Sequence, residues 1–417
     1  MKHRIKIEDF NYSLPEERIA KYPLERRDDS KLLVYREGQI DEKRFICLPE
    51  LLPTNSLIVF NSTKVVPARL IFRKSTGARI EVFCLEPHSP AEYNLSFASE
   101  RCCEWIATVG NAKRWKRGED ICFEDRGIGA VKGLNLRASI VAHREEDYII
   151  QFVWDGGVPF SRVLELCGNI PIPPYLKRNT EEIDQNRYQT LYAKERGSVA
   201  APTAGLHFSE TVFEQLRAKG IGCEELILHV GAGTFRPVKT QYIEEHKMHS
   251  EPFTVSRKFL EILLENIENK RNVVAVGTTS TRVLESLYYI GLQIERCGKP
   301  ERVGQWEPYS DTVNKTAKYS INKIIEWMNI CRIDSFNGTT EVMLIPGYEY
   351  KIVDILITNF HQPQSTLLLL ISAFIGEKWR DIYKYAMDNE FRFLSYGDSS
   401  ILFGCREKMD NLSDPIR

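Results

Sequence analysis

Apolar and polar positions change rhythm twice along the chain. A short amphipathic piece, Pro15 to Tyr22, precedes strand-like runs at Lys31 to Tyr35 and Ser56 to Asn61. From about Ile71 to Val153 short β-like runs (RIEVFCL, EWIATV, EDICF, LRASIVA, YIIQFVW) are separated by Gly, Asn, Asp and Pro. Closely spaced strands with turn residues between them predict a small barrel or sandwich. After Ser161 the pattern becomes helix–strand alternation. Ser209 and Glu210 open a helix that stops at Lys219-Gly220, a polar N-cap at one end and a C′ glycine at the other. A strand at Glu225 to Val230 follows, then a helix around Phe259 to Lys270 and a buried strand at Val273 to Gly277. A helix from about Ser280, a strand at Ile352 to Thr358 and an apolar helix from about Thr366 complete the series. Such alternation predicts an α/β fold with much parallel pairing. Residues 71–154 then form a β-barrel domain inserted into a discontinuous α/β domain made of 1–70 and 155–417. The polar stretch 291–340, with one helix at Ile321 to Met328, reads as a surface insertion.

Composition narrows the class. A chain of 417 residues suggests two or three domains. The formal net charge of −1 supplies no global field toward nucleic acid or an anionic membrane, so a polyanion must be met by a local patch. The start, MKHRIKIEDFNYSLPEERIAKYP, lacks a signal-peptide apolar core, and the apolar run Ser365 to Ile375 is too short to span a bilayer. Ten cysteines without a Cys-x-x-Cys pair read as reduced thiols. Together these features predict a cytoplasmic protein with no membrane partner, and a monomer is expected.

Chemistry concentrates in two segments. SVAAPTAGLHF (Ser198 to Phe208) and LHVGAGTFRPV (Leu228 to Val238) each hold a histidine among small residues, with a Thr and a proline. Gly and Ala admit a ligand close to the backbone, while His, Thr and Arg supply directed polar contacts, so the two segments suggest one site built from successive loops. Sites of α/β folds lie beyond the C-terminal strand ends. There the chain places Thr278-Thr279-Ser280-Thr281-Arg282, an opening helix suited to an anion or to plain N-capping, and Asn359-Phe360-His361. His207, His229, His246, His249 and His361 all fall in or beside such segments, which favours acid–base roles for some of them. His246 and His249 have helical i, i+3 spacing that could hold a metal, but no His-Glu-x-x-His pattern or cysteine partner accompanies them, and no metal is expected.

Lys113, Arg114, Trp115, Lys116 and Arg117 lie in the inserted β region; four cations around an aromatic suit phosphate neutralisation with base stacking, or a solvated hairpin tip. Tyr396-Gly397-Asp398 forms a tight turn, Asp398 being either a functional carboxylate or a hairpin closure. A P-loop, a GxGxxG fingerprint and a Gly-x-Ser-x-Gly elbow are all missing from the sequence.

Ten stretches spread over nearly the whole chain resemble, in order, the S-adenosylmethionine:tRNA ribosyltransferase-isomerase family of queuosine biosynthesis. They include LPEERIAKYPLERRDDSKLLV, IVFNSTKVVPARL, IPIPPYLKR, GSVAAPTAGLHF, LHVGAGTFRPV, EEHKMHSE, AVGTTSTRVLES, the segment from Ile345 to Phe374 and RFLSYGD. The resemblance implies a large α/β-barrel-like domain with a small all-β barrel inserted. It implies transfer and isomerisation of the ribosyl part of S-adenosylmethionine, a cosubstrate rather than a resident cofactor. The acceptor would be 7-aminomethyl-7-deazaguanine in tRNA, and the products epoxyqueuosine-tRNA, adenine and methionine. On that reading His207 and His229 transfer protons, and Asp398 or another histidine assists adenine departure. Thr203, Arg236, Thr278, Thr279, Arg282, Asn359, His361, His246 and His249 bind substrate, the methionine carboxylate suiting Arg236 or the helix opening with Arg282. Lys113 to Arg117 meet the tRNA. Ser62, Asn169 and the long 291–340 stretch depart from the family pattern. They leave open a tRNA-binding paralogue that has lost the reaction or changed its specificity, and the histidines leave open a metalloenzyme.

Overall fold

The computed structural model describes residues 4–124, 133–144, 147–231, 238–310 and 315–404. It divides into two compact units. Residues 63–201, with a short segment starting at His229, form the second; the first contains the remainder.

The first unit is built on a nine-stranded sheet. Its order is Ser335–Thr340, Glu251–Ser256, Gly222–Leu228, Leu57–Asn61, Val273–Val276, Ile355–Asn359, Ser399–Phe403, Lys31–Arg36 and Gln39–Arg44. The central strands Gly222–Leu228, Leu57–Asn61, Val273–Val276 and Ile355–Asn359 run parallel, as the alternation predicts. Toward one edge Glu251–Ser256 and Ser335–Thr340 add antiparallel. Toward the other, Ser399–Phe403 turns antiparallel, Lys31–Arg36 follows it parallel, and Gln39–Arg44 closes as a hairpin partner. Three of the parallel strands are buried along their whole length, which explains their largely apolar sequences LIVFN, VVAV and ILITN. The strand order has two ends, so among the described residues the barrel-like closure expected of the large domain is not made.

The helices follow local signals. Ser209 caps Glu210–Ala218 by accepting from the Val212 N–H at 3.3 Å, a contact worth about 1 kcal/mol. Ser256, Thr316 and Ser365 cap Arg257–Glu268, Ala317–Cys331 and Thr366–Ile375 in the same way. The 21-residue helix Gly277–Cys297 ends on Gly298 at φ +73°. Its Gly291 meets the next helix so closely that an added Cβ would lie 2.3 Å from the Ser320 carbonyl oxygen.

Residues 291–340 are therefore not a surface insertion. Gly291 to Cys297 complete the long helix, Ile321, Ile324 and Met328 are fully buried, and Ser335–Thr340 is a strand of the main sheet. Its sequence, SFNGTT, hides the assignment because only Phe336 and Thr340 are buried. Midway along the long helix, Glu285 accepts from the Tyr348 hydroxyl and the Lys351, Ile352 and Val353 N–H groups at 2.6–3.0 Å. This carboxylate fixes the run that leads into Ile355–Asn359. Among the described residues no helix is long and apolar enough to cross a membrane.

The second unit contains the small barrel that the closely spaced strands predict. Asp147–Val153, Cys102–Gly110, Arg79–Ser89, Arg69–Arg73, Ile121–Phe123 and Arg137–Arg144 close into a ring. Trp105, Phe72, Phe152 and Phe160 fill it, the last from the helix Phe160–Cys167. Beside the barrel, Thr63–Val65 pairs in parallel with Glu195–Ser198. Asn169 is tied to this unit's frame, its backbone exchanging hydrogen bonds with Arg69 at 2.9 and 3.2 Å. Ser62 in the first unit is likewise structural, its N–H reaching the Leu226 carbonyl at 3.0 Å.

Candidate active site

In the first unit the parallel strands deliver their C-terminal ends to one side of the sheet. Asn61 locks two of them, its amide exchanging hydrogen bonds with the Leu228 backbone at 3.0 Å each way. Asn359, the last residue of its strand, is 2% exposed and organises a polar cluster. Its Oδ1 accepts from the Thr203 hydroxyl at 2.8 Å. Its Nδ2 reaches His207 Nε2 at 3.1 Å and the Asp398 carbonyl at 3.3 Å. On the other side of the imidazole, Nδ1 lies 2.8 Å from Ser30 Oγ. Because Asn359 Oδ1 is taken by Thr203, its NH2 faces His207, which makes Nε2 the acceptor and Nδ1 the protonated nitrogen. Burial, reinforced by the positive charges of Arg392 and Arg27, lowers the His207 pKa to about 3. His207 is thus a neutral imidazole with both nitrogens engaged.

Ser30 and Asp28 join the cluster without a signal of their own in the sequence. The segment RRDDS folds against the turn Thr203–His207: Arg27 donates to the Leu206 carbonyl, and buried Asp28 accepts from Ser209 Oγ at 2.6 Å. Only its place in a family-like stretch marks the segment. Asp398 is a loop closure. It accepts from the backbone N–H groups of Lys31 and Arg392 at 3.1 and 2.8 Å and pairs with the Arg392 guanidinium at 3.0 Å. Gly397 permits the turn, since a Cβ there would sit 2.5 Å from the Arg392 carbonyl oxygen.

The helix opening at Gly277 joins this group. An added Cβ on Gly277, at φ +85°, would lie 3.6 Å from both Ala204 and Thr279 side-chain atoms, so the turn Thr203–His207 and the helix start are neighbours. The N-cap residue of this helix, Val276, supplies no side-chain cap. Thr278 is buried and Thr279 half-buried beside it. Arg282 does not reach out to a ligand: it is buried in an ion pair with Glu251, and its Nε donates to the Val342 carbonyl at 3.1 Å. The carboxylate expected from a substrate is supplied internally. His361 is also turned inward, with Nε2 2.9 Å from Thr358 Oγ1, and burial lowers its pKa to about 3.

His246 and His249 do not share a helix face, because residues 246–250 are not helical. The His246 carbonyl and the Met248 N–H are instead held by the Gln305 amide at 2.7 and 2.9 Å. Burial, helped by His249, lowers the His246 pKa. No group of three or more His, Cys, Asp or Glu side chains among the described residues could hold a metal. Arg236 lies outside the described residues.

The second unit carries His229. Its ring stacks on Tyr93 with centroids 4.1 Å apart and planes 8° apart. Its Nδ1 is buried without a well-formed hydrogen bond among the described residues. Burial lowers its pKa to about 4, the nearby Gly197 backbone opposing part of the effect. Lys113, Arg114, Lys116 and Arg117 are exposed on the barrel, but Trp115 is not a stacking platform: it is 4% exposed, with its indole N–H donating to the Glu119 carbonyl at 2.8 Å.

A family model described as queuosine biosynthesis protein matches residues 7–402. The S-adenosylmethionine:tRNA ribosyltransferase-isomerase of Halothermothrix orenii is 39% identical over 402 residues, covering 95% of this chain and 100% of the relative. That of Thermosipho melanesiensis is 37% identical over 411 residues, covering 96% and 100%. The crystal structure of S-adenosylmethionine tRNA ribosyltransferase from Thermotoga maritima shares 25% identity, with a TM-score of 0.45 over 95% of this chain and 100% of that one.

Proposed function

The chain belongs to the queuosine biosynthesis protein family, and on that premise we propose that it is an S-adenosylmethionine:tRNA ribosyltransferase-isomerase. The observation that carries the reading is the full-length match: the relatives so named are covered completely and at 37–39% identity. The substrates are S-adenosylmethionine, consumed as ribosyl donor, and tRNA bearing 7-aminomethyl-7-deazaguanine. The protein acts as a cytoplasmic monomer.

The sulfonium of the donor acidifies its C5′ protons, and a neutral imidazole can take one, leaving the electron pair on a carbon stabilised by the adjacent sulfur. His229 is the base in this reading, because its ring is neutral and, among the described residues, no protein hydrogen bond of good geometry consumes its Nδ1. His207, bonded at both nitrogens, orients the Thr203–Asn359 pair that meets the substrate, with Asp398 fixing the adjoining turn. The helix start at Thr278 and Thr279 suits the methionine carboxylate.

Lys113, Arg114, Lys116 and Arg117 are exposed cations within five consecutive residues, and in this reading they meet tRNA phosphates. Replacing all four with Ala should weaken tRNA binding and flatten its salt dependence by about 0.7–0.9 in log–log slope for each phosphate no longer neutralised. An unchanged slope would remove the patch from the tRNA interface. The reaction itself is tested by digesting treated tRNA and following the precursor nucleoside by mass spectrometry. Conversion to the epoxyqueuosine nucleoside supports the function. Tight tRNA binding with no conversion defeats it.

A further inference from the structure

The His229 ring sits in a slot whose construction exceeds what packing alone requires. Tyr93 lies flat against one face of it. At the Nδ1–Cε1 edge stands Gly197, where any Cβ would come within 2.2 Å of Nδ1 and 2.4 Å of Cε1. Gly197 also has φ +147°, a region that disfavours side chains, so both space and backbone demand glycine. The chain next to the ring is pinned as well. The Val230 N–H donates to Ser198 Oγ at 3.0 Å, and the Val199 N–H donates to the Val230 carbonyl at 3.1 Å. Tyr93 is itself fixed by the barrel core, its ring 5.9 Å from both Trp105 and Phe97.

Buried histidines with a purely structural role have their nitrogens paired, as His207 does. Here the ring plane is fixed by stacking and by a missing side chain, while Nδ1 goes without a good hydrogen bond among the described residues. We propose that Tyr93 and Gly197 are positioning residues for the reaction: together they hold the His229 ring in the orientation from which it takes the substrate proton. The inference rests on the reading of His229 as the base. Tyr93 acts through its ring, not its hydroxyl.

The test compares Tyr93→Leu, Tyr93→Phe and His229→Gln in the full-length protein with S-adenosylmethionine and precursor-bearing tRNA. Misplacing a catalytic group by about 1 Å costs on the order of 10²-fold, so Tyr93→Leu should lower kcat by about that factor with KM for S-adenosylmethionine little changed. Tyr93→Phe should restore most of the rate. The His229 ring protons, shifted upfield by the stacked ring in the wild type and in Tyr93→Phe, should return to ordinary positions in Tyr93→Leu. If Tyr93→Leu does not fold, Tyr93→Met serves in its place. Wild-type kcat in a folded Leu or Met variant overturns the proposal, as does a Phe variant as slow as the Leu variant. Should His229→Gln keep its rate, the base assignment itself falls; should it lose the rate while Tyr93→Leu keeps it, only the positioning role falls.

Discussion

Replacing His207 by Gln should change how stability depends on pH by an amount the structure supplies. The ring is 5% exposed and bonded at both nitrogens, and burial holds its pKa at about 3. In the unfolded chain the same group titrates near 6.5, so below that pH the unfolded state binds a proton that the folded state refuses. The sign follows directly. The contribution is complete above the unfolded value and is lost as pH falls from about 6.5 toward about 3. Its slope is about 1.4 kcal/mol per pH unit, which amounts to roughly 2 kcal/mol between pH 7 and pH 5. Glutamine can keep the Asn359 and Ser30 contacts but carries no titratable proton. Urea unfolding of both proteins at the two pH values cancels every other group, including His361. The difference in unfolding free energy between wild type and His207→Gln should therefore fall by about 2 kcal/mol in going from pH 7 to pH 5. An equal difference at both values would mean that the imidazole is protonated or solvated in the folded protein, and the neutral, doubly bonded His207 would be wrong.

Three further outcomes follow from neighbouring geometry. Asn359→Leu leaves the His207 Nε2, the Thr203 hydroxyl and the Asp398 carbonyl without this partner, which should cost about 2–4 kcal/mol in urea unfolding; a change below about 0.5 kcal/mol would show that the cluster is not formed in solution. Arg282→Met strands buried Glu251 and should destabilise by about 3–5 kcal/mol, whereas adding Glu251→Leu should recover much of it; equal stability of the single and double variants would refute the ion pair. Gly291→Ala pushes a methyl into the Ser320 backbone and should lower stability by about 1–3 kcal/mol, measured by thermal melting, although Ala is ordinarily the better helix former.

Much of the first unit was legible because its signals are local. Ser209 and Gly220 bound a helix, and the apolar runs at Val273–Val276 and Ile355–Ile357 mark strands buried on both faces. What stayed hidden depends on distant partners. Ser335–Thr340 is an edge strand with few buried residues, so its polar sequence looks like a loop until Glu251–Ser256 pairs with it. Closure of the large sheet is likewise decided by which edges meet, and periodicity carries no information on that. Trp115 between four cations resembles an exposed platform, yet only the folded loop between Cys102–Gly110 and Ile121–Phe123 shows the indole turned into the barrel core. Within the candidate site, His207, Thr203 and Asn359 stand out by residue type and converge in space. Ser30 and Tyr93 do not stand out, since a serine before a strand and a tyrosine on a short helix are commonplace.

One stoichiometry tests the reaction most directly. Purified protein incubated with S-adenosylmethionine should release adenine and methionine one for one with the precursor nucleoside consumed in tRNA, and release should stop when that tRNA is left out. Adenine release independent of the modified tRNA, or no release at all from folded protein that binds both substrates, would contradict it.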